Sequence, residues 1–350
     1  MDKVPSLILL SDTHLGATGS KFKLFSEFLD DLIDKLEHDK NYAENLKCLI
    51  ILGDIFDLVC DSYRDIAKDY KDIYDKLEII SNKGIHIFMT LGNHDISVLG
   101  DFDKNFKKKK KKLIKNFRKK GLKKEYLQLS NLAQYIVIKK ENNNCKIILY
   151  DTSKFDDKSK VNEIIINLEK GVNKDFYMVL AHGHQFYPEK THLAAPIWDF
   201  CLNSPDFIRE IFNFIWNELI RGDDYTDDEK FEEELENKSV EISKKFNIKM
   251  KEKTKNKILE LQKNVKESEL KRKNILEEEM KIEHLFDPSG VTEIIFGHTH
   301  KIDIFKWNDI NVYNLGAWHH VNPSYGEFYR DGTIKLKIRD SSGTWKEYNK

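Results

Sequence analysis

Along the N-terminal half of the chain, short apolar runs alternate with longer amphipathic stretches. The runs 6–10, 47–52, 85–91, 133–138, 146–150 and 177–181 are compact and bounded by polar or glycine residues, the pattern of buried strands. Between the first three runs, Phe22, Phe25, Phe28, Leu29, Leu32, Ile33 and Leu36 recur at helical spacing. So do Ile66, Tyr70, Ile73, Leu77 and Ile80. After residue 290 the runs 293–296, 302–307, 311–315 and 333–338, with turns at Asn308-Asp309 and Asp331-Gly332, predict a C-terminal antiparallel meander. Together these patterns predict a layered α/β domain with mixed sheets.

The rhythm breaks between about 184 and 290. Residues 207–219 form a strongly apolar helical stripe, with Ser204 as N-cap and Pro205 at the first helical position. Residues 223–287 contain no Gly or Pro and are dominated by Lys, Glu and Asn, which predicts a long charged helix or a helical hairpin. The expected organisation is therefore one discontinuous domain, 1–183 with 291–350, carrying an inserted helical cap at 184–290, apolar over 186–220 and charged over 223–287.

Composition agrees with an insertion rich in surface. Charged residues make up 33% of the 350 residues and apolar residues 40%, against usual values of about 25% and about 45–50%. Formal net charge is −1, which excludes a uniform electrostatic funnel for nucleic acid or an anionic membrane. The balance is a sum of opposites, since 104–124 carries thirteen positive charges and 223–236 nine acidic residues. Lysine outnumbers arginine 51 to 7, whereas a shape-specific phosphate reader more often uses arginine. Cys48, Cys60, Cys145 and Cys201 are widely spaced, which indicates neither a disulfide framework nor a cysteine zinc site. With the first apolar run too short for a signal-peptide core and no run near the ~20 residues of a membrane span, a cytoplasmic protein is expected.

Five motifs directly follow apolar runs: Asp12-Thr13-His14, Gly53-Asp54-Ile55-Phe56-Asp57, Gly92-Asn93-His94-Asp95, His182-Gly183-His184 and Gly297-His298-Thr299-His300. Ligands of open α/β sheets bind outside the carboxyl ends of strands, so the five turns are expected to converge there, with glycines permitting the tight turns. Asp12, His14, Asp54, Asn93, His182, His298 and His300 offer oxygen and imidazole donors without a thiolate, a set suited to Mn, Fe or Zn. Seven donors exceed one open tetrahedral site and match two metals sharing a carboxylate. From HGH, either His182 or His184 reaches the metal, His182 being favoured. Asp57 is expected to accept hydrogen bonds rather than ligate, and His319 and His320 either line the site or stand at a strand end.

The order D-x-H, G-D-x-x-D, G-N-H-D, H, G-H-x-H resembles the calcineurin-like metallophosphoesterase superfamily across residues 12–300. The resemblance implies a four-layer α-β-β-α sandwich and a dimetal phosphoester hydrolase that uses a metal-bridging hydroxide. It implies Asp12, His14 and His300 on one metal, Asn93, His182 and His298 on the other, and Asp54 between them. The two divalent ions would be manganese, with Fe, Zn or Ni as other candidates. His94 would protonate the leaving oxygen while Asp95 orients its ring.

Within the superfamily, the SDTHLG start, the GDIFDL form and the Asn314–Trp318 turn are similar to the UDP-2,3-diacylglucosamine pyrophosphatase branch. That branch has Arg in place of His94 and a shorter cap. The expected substrate is accordingly a phosphomonoester, a phosphodiester or a nucleotide-sugar pyrophosphate. A nuclease resembling the double-strand-break-repair family is the alternative, and a non-catalytic scaffold on the same fold is a third reading, disfavoured because every motif residue is kept. The aromatic-rich segment from Phe186 to Trp216 predicts a lid over the site. Peripheral membrane contact and self-association would also run through the cap.

Overall fold

The computed structural model describes residues 3–17, 19–57, 66, 68–92, 94–95, 132–151, 154–169, 172–183, 186, 289–319 and 321–349. The helical cap expected over most of 184–290, the lysine run and the acidic run lie outside these residues.

Strand β1 (Leu7–Leu10) leads into helices α1 (Phe22–His38) and α2 (Lys40–Asn45), then β2 (Cys48–Leu52), α3 (Lys71–Asn82) and β3 (His86–Thr90). A short β4 (Leu132–Ala133) follows, then β5 (Tyr135–Glu141), β6 (Asn144–Tyr150), β7 (Lys160–Asn167) and β8 (Tyr177–Leu180). The C-terminal part adds β9 (Glu293–Phe296), β10 (Ile302–Trp307), β11 (Ile310–Leu315), β12 (Ser324–Phe328), β13 (Ile334–Arg339) and β14 (Trp345–Glu347). Two seven-stranded mixed sheets result, ordered β14-β13-β12-β1-β2-β3-β4 and β10-β11-β9-β8-β5-β6-β7.

The alternation of strand side chains builds two core layers at once. In β1–β3, Leu7, Leu9, Cys48, Ile50, Leu52 and Phe88 point into the space between the sheets, meeting Ile136, Ile138, Ile147, Leu149, Met178, Leu180 and Ile295. Their neighbours Ile8, Leu10, Leu49, Ile51, Ile87 and Met89 point the other way, onto α1 and α3. Strands buried on both faces read as unbroken apolar runs, which is why these were visible in the sequence. Helix α1 buries Phe25, Phe28, Leu29, Leu32 and Leu36, the stripe expected from spacing. At about 1.5–3 kcal/mol per fully buried large side chain, this packing holds a helix whose N-cap, Lys21, makes no side-chain capping bond. The second sheet's outer face carries its own cluster, in which Phe186 packs edge-on against Phe296 at 5.6 Å.

The C-terminal expectation needs correction. Of the C-terminal strands, β10 and β11 alone form an antiparallel hairpin in the second sheet, because β9 runs parallel to both β8 and β11. Strands β12–β14 leave that sheet altogether, and β12 pairs antiparallel with β1 in the first. All four β9 residues are buried, as befits a central strand, whereas β10 is a half-exposed edge. Strand β12 lacks an apolar run, and its Gly326 fits between Leu315 and Leu9, where an added Cβ would stand 3.0 and 3.4 Å from their side chains. No helix among the described residues is long and apolar enough to cross a membrane.

Candidate metal centre

The turns after β1, β2, β3, β8 and β9 meet at one edge of the two sheets. Eight non-glycine described residues have positive φ, and five of them are Asp12, His14, Asp54, His298 and His300, at 45–66°. Left-handed backbone disfavours L-residues by about 1–2 kcal/mol each, so the surrounding structure must impose it. Here it does so by cross-stitching. The His14 N–H donates to Asp54 C=O (2.9 Å) and the Leu15 N–H to Ile55 C=O (2.8 Å). Likewise the His298 N–H donates to Asp12 Oδ2 (2.9 Å) and the His94 N–H to Asp54 Oδ1 (2.7 Å).

The motif glycines act in two ways. Gly53 and Gly183 have φ of 73° and 122°, the turn-forming role expected of them. Gly92 and Gly297 instead make room, since a Cβ at Gly92 would lie 2.0 Å from Asp54 Oδ1 and one at Gly297 2.1 Å from Asp12 Oδ2. The Ser11 hydroxyl has two acceptors within reach of its one proton, Leu52 C=O (2.8 Å) and Asp12 Oδ2, which places it against that carboxylate.

Two donor groups form. In the first, His14 Nε2 stands 3.1 Å from His300 Nε2, and Asp12 Oδ1 lies 3.3 Å from His300 Nε2 and 3.7 Å from His14 Nε2. In the second, His182 Nε2 is 3.1 Å from Asp54 Oδ2 and 3.2 Å from His298 Nδ1. Asp54 Oδ2 also lies 3.7 Å from His14 Nε2, which links the groups. Of the seven expected metal residues, six are thus brought together, while Asn93, His184 and His320 lie outside the described residues.

The tautomers follow from the outer contacts. His182 Nδ1 donates to Leu52 C=O (2.9 Å) and His14 Nδ1 to Asp57 Oδ2 (3.2 Å), so each presents Nε2 to its donor group. The residues fit divalent cations: buried Asp12 Oδ1 accepts no hydrogen bond among the described residues, and imidazole nitrogens are aimed at one another around it.

Electrostatics reinforce that fit. Burial pulls the His182 imidazole down, but the charges of Asp54 and Asp12 outweigh it and lift its pKa to about 9. Burial opposes protonation of His14 too, and the nearby Asp12 carboxylate, the hydrogen bond to Asp57 and the Asp54 charge carry it well above its ordinary value. Asp12 shows the converse: burial alone would raise it, yet His182, His14 and His300 hold it well below the usual carboxylate range. Buried Asp54 is held down in the same way by His182 and His94.

His94 differs from the expectation in one partner. Its Nδ1 lies 3.0 Å from Asp57 Oδ2, the oxygen that also receives His14 Nδ1. The carboxylate at the His94 ring is therefore Asp57, and the expected pairing with Asp95 is corrected. Asp95 turns into the protein, accepting the backbone N–H of Phe56 and of Gly92, both at 2.9 Å. Chain direction explains this, because Gly92 and Asp95 close a tight turn that faces the Asp54 loop. Burial, with the nearby Asp54 charge, pushes Asp95 up to about 7. On the far side of the site, Asn314 donates to Thr299 Oγ1 (2.5 Å) and accepts Gly316 N–H (3.1 Å), steadying the turn between His298 and His300.

Carboxylates and imidazoles thus converge at the carboxyl ends of strands from two mixed sheets. The calcineurin-like phosphoesterase family model matches residues 5–302, and the chain belongs to that family. No curated protein matches the chain at a significant level. Among solved structures, it is similar to a single-substitution variant of Vps29 from Entamoeba histolytica, at 12% identity over 98% of this chain and 99% of that one, with a TM-score of 0.33. An archaeal phosphodiesterase matches at 12% identity, 98% of each chain and a TM-score of 0.29. Phosphopantetheinyl hydrolase from Mycobacterium tuberculosis matches at 10% identity, 91% of each chain and 0.29. Likenesses at these scores bear on neither substrate nor partner.

Proposed function

We propose that this protein is a dimetal-dependent phosphoester hydrolase. The observation that carries the reading is the pair of donor groups joined through Asp54 Oδ2. Asp12, His14 and His300 would hold one cation, His182 and His298 the other together with Asn93 as its motif implies, and Asp54 would serve both. Two such cations, manganese foremost, supply Lewis acidity to phosphoryl oxygens and make water a competent nucleophile near neutral pH.

The chain's own part is positioning and proton transfer. Asp57 fixes His94 through Nδ1, so Nε2 delivers a proton to the departing oxygen as the P–O bond breaks. The same carboxylate, through His14, keeps acid and metal ligand in register. Asp95 holds the two loops together rather than the reacting groups.

Substrate selection is assigned to the insertion. It leaves the second sheet just after His182, at the site edge of β8, and returns at the opposite end of the parallel neighbour β9. An apolar or aromatic inner face there would admit a phosphomonoester, a phosphodiester or a nucleotide-sugar pyrophosphate. Buried Cys48 and Cys145 are free thiols, in keeping with a cytoplasmic location.

A manganese-supplemented panel of a phosphomonoester, a phosphodiester, a UDP-sugar pyrophosphate and single-stranded DNA tests this reading. Hydrolysis of one of the first three is expected. Cleavage of the DNA alone, with binding that falls steeply as salt rises, would instead establish the nuclease.

Metal uptake should release protons. In the metal-free protein the neighbouring carboxylates favour the protonated forms of His14 and His182, and the neighbouring imidazoles favour the ionised forms of Asp12 and Asp54. Cations must displace those protons, so apparent affinity rises with pH, and the His182 contribution levels off near pH 9. Calorimetry in buffers of different ionisation enthalpy should find one to two protons released per chain filled at pH 7. No release would show that His14 and His182 are already neutral at pH 7 before the cations bind.

A further inference from the structure

The turn after β11 brings another imidazole to the first donor group. His319 is 1% exposed. Its ring lies tilted at 37° to His14, centroids 4.8 Å apart, and meets His300 edge-on at 5.7 Å. The backbone carrying this ring is tied to the Asp12 loop on both sides. The Trp318 N–H donates to Asp12 C=O (2.9 Å), the Lys21 N–H to Trp318 C=O (2.7 Å), and Ser20 forms an isolated bridge with His319. Trp318 is fully buried and packs edge-on against Phe25 and Phe28, each at 5.3 Å, so the turn is pinned to α1 as well.

An imidazole ligand must hold its ring plane to keep Nε2 on the cation. For His14 the Asp57 carboxylate sets that plane through Nδ1. The His300 side chain is more open, 24% exposed against 1% for His14, and its ring packs edge-on against those of His14 and His319.

We propose that His319 is a positioning residue that orients His14 and His300, and so governs the affinity of the Asp12 group more than that of the Asp54–His182–His298 group. The proposal rests on the metal-centre reading above. Its test is manganese binding by the full chain, followed by titration calorimetry and by paramagnetic resonance, which separates single from paired ions.

The wild-type chain should take up two ions. His319→Ala should keep one at wild-type affinity and bind the other about 10–100-fold more weakly, with the paired-ion signal lost at limiting metal. His319→Phe, which restores a ring without its nitrogens, should recover most of that affinity. Unchanged affinities in His319→Ala, equal weakening of both steps, or a Phe variant no better than Ala would overturn the role. A wild-type chain that binds no divalent ion would overturn the metal centre itself, and this proposal with it.

Discussion

Asp54→Asn is expected to lower turnover by at least about 10³-fold, equivalent to about 4 kcal/mol of transition-state stabilisation. The substitution is nearly isosteric. The amide oxygen can still accept the His94 N–H now bound by Oδ1 at 2.7 Å, so the GNHD turn keeps its anchor. What changes is the other atom. An NH₂ would stand where Oδ2 now lies 3.1 Å from His182 Nε2 and 3.7 Å from His14 Nε2, and it can neither ligate nor carry charge. Loss of that charge also removes the largest influence raising His182, so the variant should release fewer protons on metal uptake than the wild type. Steady-state kinetics with a metal count gives the check. Near-normal turnover with two ions bound would show that Asp54 does not bridge.

The second large effect belongs to His94→Ala, with an expected loss of about 10²–10⁴-fold in turnover and full metal occupancy. Its ring meets that of His14, a member of the first donor group, with centroids 4.7 Å apart, and shares the Asp57 oxygen with it. The diagnostic is the leaving group. An alkoxide needs a proton as it departs, whereas p-nitrophenolate leaves without one. The loss should therefore be close to the full range on an alkyl ester and under about tenfold on a p-nitrophenyl ester. Equal losses on both would assign His94 to binding the phosphoryl group instead, and unchanged rates would remove it from the reaction.

Much of the architecture was legible because the central strands are buried on both faces. β1, β2, β3, β8 and β9 read as apolar runs, and each motif sits at the end of one. The helix α1 stripe was equally plain. Strands β7, β12 and β14 were not, since β7 and β14 are sheet edges and β12, Ser324–Phe328, has polar and glycine positions among its aromatics, so that pairing places all three. The movement of β12 into the first sheet depends on contacts far apart in the chain, such as Leu9 with Gly326, and no local pattern encodes it.

At the site, residue types and order pointed to the donors, but partner choice did not follow from spacing. Asp95 is adjacent to His94 in sequence and turns away from it, while Asp57 reaches it from another loop. Ser11 and Asn314 entered only as members of the SDTHLG start and the Asn314–Trp318 turn, with no role of their own. Their contacts, with Asp12 Oδ2 and Thr299 Oγ1, arise only once strands β1, β9 and β11 are assembled.

On the proposed function, two cations held by Asp12, His14, Asp54, His182, His298 and His300 would enable phosphoester hydrolysis. The most direct measurement counts bound metal and turnover of bis(p-nitrophenyl) phosphate on one sample, before chelation, after it, and after manganese is restored. Two ions per chain, turnover lost with the metal and regained with the second ion is the predicted result. Two ions bound without hydrolysis of this or any other activated phosphoester would contradict it.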